Sequence, residues 1–198
     1  MKYLLTFTII ILTIIPEGWA FAVKIQDDQP DSIRVIKIVN DFFDWYITSV
    51  KEQKYMEFRP VFAERTDGMT TLDFSTYLEN LKRLSFSDEL LKEEERRYNS
   101  CVNNLRDIKY SEFKSEYVDL DQFENILCDF TNRYRWTGGM EPIEHFRIKN
   151  VKVEKQGTAI VLVEFSHFNP DNKDELFFKG RSIDLNFEND GWKIMKIE

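Results

Sequence analysis

Thr158-Ala159-Ile160-Val161-Leu162-Val163-Glu164-Phe165-Ser166-His167-Phe168 is the stretch that decides the fold. β-Branched and aromatic residues fill it, and neither Gly nor Pro interrupts it, so it predicts a long strand. Its flanks continue the pattern. Phe146 to Lys155 is β-prone, and Gln156-Gly157 supplies a turn. Asn169-Pro170-Asp171-Asn172 reads as a loop, after which Leu176 to Phe187 alternates at Ile183, Leu185 and Phe187. Asn189-Asp190-Gly191 is a hairpin signal, and Trp192 to Ile197 alternates again. Four consecutive strands with short connections predict an antiparallel meander.

Upstream of the meander the period changes. Asp31 stands where an N-cap is expected. Ile33, Ile36, Val39, Phe42, Phe43, Tyr46, Ile47 and Val50 follow in steps of three and four, predicting an amphipathic helix to about Gln53. Val35, Ile38 and Trp45 widen its apolar face, so it should pack on two sides. Residues 54 to 72 read as irregular, with Pro60 and Asp67-Gly68 as breakers. A short helix is predicted from about Asp73 to Leu84, with Phe74, Tyr77, Leu78 and Leu81 on one face. Ser87 caps a third, whose apolar line is Leu90, Leu91, Tyr98, Cys101, Val102, Leu105 and Ile108. Lys92, Glu93, Glu95, Arg96 and Arg97 form its solvated face. Tyr117 to Asp121 resembles a loop, and Phe123, Ile126, Leu127 and Phe130 fit a short helix or a strand equally. Helices first and strands last predict an α+β fold.

The first 22 residues carry an address. Met1-Lys2-Tyr3 is a short basic start, Leu4 to Ile15 is apolar apart from threonine, and Ala20-Phe21-Ala22 places small residues at −3 and −1 of a cleavage site. This is the layout of a secretory signal peptide over residues 1–22. The apolar run is shorter than the roughly 20 residues of a membrane anchor. The expectation is a single exported domain over residues 23–198, with no membrane span after cleavage. A net charge of −8 argues against nucleic acid as a partner. Cys101 and Cys128 are the two cysteines. In an oxidising compartment they are expected to pair, closing a loop worth about 3 kcal/mol; the alternative is two buried thiols.

Chemistry is sparse. His145 and His167 are the two histidines, and neither has a second histidine or cysteine at metal spacing. HExxH, CxxC, Gly-x-Ser-x-Gly and a Gly-rich phosphate loop are absent. Asp119 to Phe130 lacks the glycine and final acid of a calcium loop. No metal and no cofactor is expected. An enzyme would draw on Asp44, Glu141, Glu164, His167 and Tyr46, but strand alternation puts Glu164 and His167 on opposite faces. Trp136-Thr137-Gly138-Gly139-Met140-Glu141 reads either as a contact loop or as a tight turn with Trp136 tucked into the core. The candidate pocket or interaction residues are Phe42, Trp45, Tyr46, Trp136, Met140, Glu141 and His167.

The chain is similar to the NTF2-like (cystatin-like) superfamily and, more narrowly, resembles the exported DUF3828 family of bacterial envelope proteins. The resemblance rests on Phe42-Phe43-Asp44-Trp45-Tyr46 in the first helix after a signal peptide and on Phe74, Tyr77 and Leu81 in the middle helices. Gly157-Thr158-Ala159-Ile160-Val161 and the closing Gly191-Trp192-Lys193-Ile194 complete it. It implies N-terminal helices packed on a curved C-terminal sheet that encloses a cone-shaped pocket. The function expected is non-catalytic: a periplasmic binding or accessory protein of a Gram-negative envelope, holding an envelope protein or a small ligand. Face-to-face pairing of sheets makes a homodimer compatible with this build. The alternatives are a periplasmic immunity protein against a delivered toxin and a small-molecule enzyme.

Overall fold

A computed structural model describes residues 30–128, 130, 133–168, 175–189 and 191–198. The signal-peptide reading and the Asn169 to Asn172 loop lie outside these residues. Helices occupy the N-terminal half: α1 (Asp31–Lys51), α2 (Tyr55–Phe58), α3 (Ser75–Arg83), α4 (Asp88–Arg96), α5 (Asn99–Leu105), α6 (Tyr110–Glu116) and α7 (Leu120–Asn125). A small hairpin, β1 (Val61–Glu64) and β2 (Thr70–Asp73), sits among them. The C-terminal part is an antiparallel sheet of β3 (His145–Glu154), β4 (Thr158–Phe168), β5 (Glu175–Glu188) and β6 (Gly191–Ile197), in the order β3-β4-β5-β6. The expected α+β class and meander are therefore present.

Alternation sets the sheet's two faces. Ala159, Val161, Val163 and Phe165 of β4, Ile183 and Leu185 of β5, and Trp192 and Ile194 of β6 are buried. Ile160 and Leu162 point the other way and are partly exposed. Each of the three strand pairs of this sheet carries a register shift, at Lys149 in β3, at residues 179–180 of β5 and at Met195 in β6. An extra residue bends and twists the strand that holds it. These shifts let the sheet follow α1, which touches β3, β4 and β6. Gly180 sits at the β5 bulge, where a Cβ would fall 1.6 Å from the Val163 carbonyl oxygen. The outer edge of β6 is partly covered, because Ile194 exchanges backbone hydrogen bonds with Ser85 and Ser87.

The first core lies between α1 and the sheet. Val35, Val39, Phe42, Phe43 and Tyr46 are buried, and Phe42 meets Trp136 edge-on at 5.8 Å. Trp192 Nε1 donates to Asp31 Oδ1 at 3.1 Å, tying the last strand to the first helix. Asp31 is thus inside the first turn, with Pro30 before it, rather than an N-cap. A second core contains Leu72, Tyr98, Cys101, Leu105, Phe113 and Cys128, with Phe62, Phe123 and Phe130 against it. Cys101 and Cys128 form a disulfide inside it, their Cα atoms 4.9 Å apart.

Three expectations are corrected. Residues 54–72 are not irregular throughout: they hold α2 and β1, and Asp67-Gly68 is the hairpin turn, with Gly68 at φ +81°. The third predicted helix breaks after Arg96, because Leu90 belongs to the first core and Cys101 and Leu105 to the second. One straight helix cannot serve both. Residues 110–116, to which the sequence assigned no element, form α6 around a single buried side chain, Phe113. Tyr117 to Asp121 is not a loop throughout: α7 begins at Leu120, where Asp119 and Gln122 form a capping box, and it makes the stretch from Phe123 to Asn125 helical. No described helix is long and apolar enough to cross a membrane.

Candidate binding cleft

The two cores meet along a seam, and a cleft of about 360 Å³ opens there. Tyr46 of α1 and Phe58 of α2 come from the first core; Tyr98 and Phe130 come from the second. Arg59, Arg97, Arg133 and Arg135 line it as well, with Leu127, Tyr134 and Gly138. No carboxylate is among these described lining residues. The size falls within the roughly 300–1,000 Å³ of small-molecule sites.

Glu94 anchors this arrangement from below. Its side chain is fully buried. Tyr77 Oη donates to Glu94 Oε1 at 2.9 Å, Tyr98 Oη to the same oxygen at 3.2 Å, and Arg135 Nε to Oε2 at 3.0 Å. Arg97 Nε lies 3.6 Å from Oε2. A buried carboxylate needs such partners, since an uncompensated one costs several kcal/mol. Burial, then the neighbouring Glu94 charge, pushes the Tyr77 and Tyr98 phenols well above their ordinary value. Burial raises Tyr46 too, although the Trp136 backbone N–H donates to its hydroxyl.

Several guanidinium groups converge here. The Arg135 hydrogen bond to Glu94 uses Nε, so its Nη atoms take no part in it, and its Cζ stacks 4.3 Å from the Trp136 ring centre. Arg59 stacks 4.4 Å from the Tyr55 ring centre, and burial lowers its pKa. Arg181 of β5 reaches Gly138: a Cβ there, at φ +73°, would fall 1.6 Å from Arg181 Nη2. Burial and the charge of Arg135 both lower the Arg181 pKa.

The rim carries local strain. Leu127 has φ +55° and is 59% exposed. It ends α7 in a Schellman motif, with Leu127 N–H donating to the Glu124 carbonyl at 2.9 Å and Cys128 N–H to Phe123 at 2.7 Å. Glycine is the usual residue at that position, because a Cβ is unfavourable there. A second groove of about 580 Å³ adjoins the cleft, sharing Phe58 and Tyr134 and continuing past Ile47, Val50, Ile143 and His145.

Of the sequence-derived candidates, Tyr46 lines the cleft. Phe42 and Trp136 are wholly buried, and Trp45 is partly buried against the first core. Trp136 thus packs between Phe42 and Phe86, as in the alternative that tucked it into the core, and offers no contact surface. Met140 is 75% exposed, and Glu141 is exposed beside it. His167 belongs to β4 by its backbone, and its side chain lies outside the described residues. Asp44 is exposed on α1. Glu164 accepts from Arg147 Nη2 at 2.8 Å and Lys149 Nζ at 2.6 Å, contacts that hold its carboxyl below the usual range. These carboxylates do not converge on Tyr46. Among the described residues no group of three His, Cys, Asp or Glu side chains is placed to hold a metal ion.

The sequence reading missed Glu94, Arg59, Arg97, Arg133, Arg135 and Tyr134. One signal was present: Leu90, Glu94 and Tyr98 stand at i, i+4 and i+8, so Glu94 occupies the inward line of its helix. No protein-family model, curated protein or solved structure matches the chain.

Proposed function

We propose that this chain is an exported, non-catalytic binding protein of NTF2-like build, working in the periplasm of a Gram-negative bacterium and holding a small ligand in the seam cleft. The observation that carries the reading is the preformed cleft over a saturated buried network. Glu94, the carboxylate beneath it, is engaged by two phenols and a guanidinium. A general base needs an oxygen open to substrate and a tuned pKa near the working pH, so a fully engaged carboxylate suits a scaffold better than proton transfer. The Cys101–Cys128 disulfide is compatible with an oxidising compartment, and residues 1–22 supply the address. The curved, helix-wrapping sheet of an NTF2-like fold is consistent with three bulges and with α1 packed on β3, β4 and β6.

Native mass spectrometry of the full chain, expressed with its own leader and recovered from periplasmic extract, tests this. The expected result is a cleaved, disulfide-bonded protein carrying a bound small molecule. Retention of residues 1–22 in the cytosol, or turnover of a ligand captured this way, would overturn it.

A further inference from the structure

We propose that the Cys101–Cys128 disulfide is a redox latch on one wall of the seam cleft: its reduction by a dithiol releases α7 and the Leu127 turn while α1 and the four-stranded sheet stay folded. The consequence for ligand capture rests on the binding reading above; the release itself involves no ligand.

The position of the bridge argues first. It joins α5 to Cys128, just beyond α7, and both cysteines are buried in the second core. The 27-residue separation between them spans α6 and α7, helices of seven and six residues. Isolated helices are marginal in water even at roughly 12–15 residues, so neither holds alone. The two are anchored unequally. α6 begins on the small hairpin: the Ile108 carbonyl accepts from Thr70 N–H at 2.8 Å and from Thr70 Oγ1 at 2.9 Å, and Tyr110 N–H donates to the Gly68 carbonyl at 3.0 Å. Those bonds do not involve the bridge. α7 is held by Phe123 against Phe62 and Phe113, with ring centres 5.6 and 6.1 Å apart, by Asn104 Nδ2 donating to the Ile126 carbonyl at 3.0 Å, and by Cys128. An aromatic pair or a neutral hydrogen bond favours the closed form by at most about tenfold. Closing a loop of this length favours it by on the order of a hundredfold, so α7 depends on the bridge more than on any one of its other contacts.

The turn after α7 couples the latch to the cleft. Leu127 lines the cleft, is 59% exposed and has φ +55°. A leucine keeps that conformation only where its surroundings impose it, and the bridge grips the very next residue. Cutting it lets the turn relax and takes Leu127 out of the cleft wall. Val39, Phe43, Val161 and Ile183 pack in the first core, apart from the bridge, and keep α1 on the sheet. Both cysteines are buried, so the turn must open before a reductant reaches them. A thiolate of the dithiol then attacks Cys128 Sγ, the sulfur beside the exposed turn. The bond to the reductant forms as the Cys128–Cys101 bond breaks, and Cys101 leaves as a thiolate and takes a proton. The second thiol of the reductant resolves the mixed disulfide, leaving two protein thiols and an oxidised reductant.

Hydrogen exchange read by mass spectrometry on the mature full-length protein, oxidised and then reduced with dithiothreitol, is the test. Exchange across residues 117–128 should quicken by on the order of a hundredfold on reduction, with α1 and β4 to β6 unchanged. A protein carrying Cys101→Ala and Cys128→Ala should show the same pattern without reductant; should it fail to fold, the reduced unaltered protein decides alone. Unchanged exchange across 117–128, or protection lost along the whole chain at once, would overturn the latch. Native mass spectrometry of the protein recovered from the periplasm, before and after reduction, separates the latch from the binding reading. Loss of the bound mass on reduction is expected, and its retention beside an opened segment would overturn the coupling to the cleft. Recovery without any bound mass would overturn the binding reading, and the exchange pattern still decides the latch.

Discussion

Glu94→Gln is the sharpest perturbation of the network under the cleft. The substitution keeps the side-chain volume and removes the charge. Three hydrogen bonds at 2.9, 3.2 and 3.0 Å then lose a charged acceptor, and Arg97 loses its partner at 3.6 Å. A hydrogen bond to a charged group is worth about 1.5–3 kcal/mol, against about 0.5–1.5 for a neutral one. The amide still accepts from one or two of these donors, so the loss per bond is near the difference, about 1–1.5 kcal/mol. The side chains of Arg135 and Arg97 are 25% and 50% exposed, so water compensates part of their loss. The net cost is about 2–4 kcal/mol, a large share of the 5–15 kcal/mol of an ordinary domain. Urea unfolding followed by tryptophan fluorescence reads it as a lower midpoint at unchanged slope. Adding Arg135→Met to the Glu94→Gln protein should cost less than the same change in the unaltered chain, because the buried charge no longer wants a partner. A Glu94→Gln cost below about 0.5 kcal/mol, or strict additivity with Arg135→Met, would refute the network.

Gly180→Ala should destabilise the protein by about 3 kcal/mol or more, since its Cβ would meet the Val163 carbonyl oxygen at 1.6 Å and β5 would have to shift; thermal unfolding checks this, and a neutral result refutes the bulge. Leu127→Gly should raise stability by about 0.5–1 kcal/mol by relieving φ +55°, while weakening any ligand that leans on the rim; calorimetry and titration read the two effects separately. Alkali should destabilise the fold from about pH 10 upward. Tyr46, Tyr77 and Tyr98 have folded pKa values raised above the ordinary 10, so the unfolded chain loses protons that the folded one keeps. Their contribution is whole below pH 10 and falls by about 1.4 kcal/mol per tyrosine per pH unit above it; Tyr77→Phe should flatten the slope by about a third.

The sheet was legible because its signals are local. Val161, Val163 and Phe165 alternate with Ile160, Leu162 and Glu164, and Gly157 sits at φ +75° between β3 and β4, so β4 runs over the expected residues and its neighbours differ by a residue at each end. The long first helix was legible for the same reason. The second core was not. Its helices are six or seven residues long and its hairpin strands four, too short for a period to show. What stabilises them is tertiary: a disulfide and contacts among Phe62, Phe113 and Phe123 that only the fold assembles. The cleft was invisible on the same grounds. Tyr46, Arg59, Arg97 and Arg135 come from four separate stretches, and each taken alone reads as a core aromatic or a surface cation. Glu94 stands outside the solvated face of Lys92, Glu93, Glu95, Arg96 and Arg97, and its register with Leu90 and Tyr98 was the one local sign of its inward position.

Mapping backbone amide shifts by NMR while the small molecule recovered with the periplasmic protein is titrated into the mature protein tests the central claim most directly. The account predicts that the largest changes cluster at Tyr98, Leu127, Tyr134 and Gly138 around the cleft. Changes centred instead on Ile160 and Leu162 of the outer sheet face, or on Met140, would contradict it.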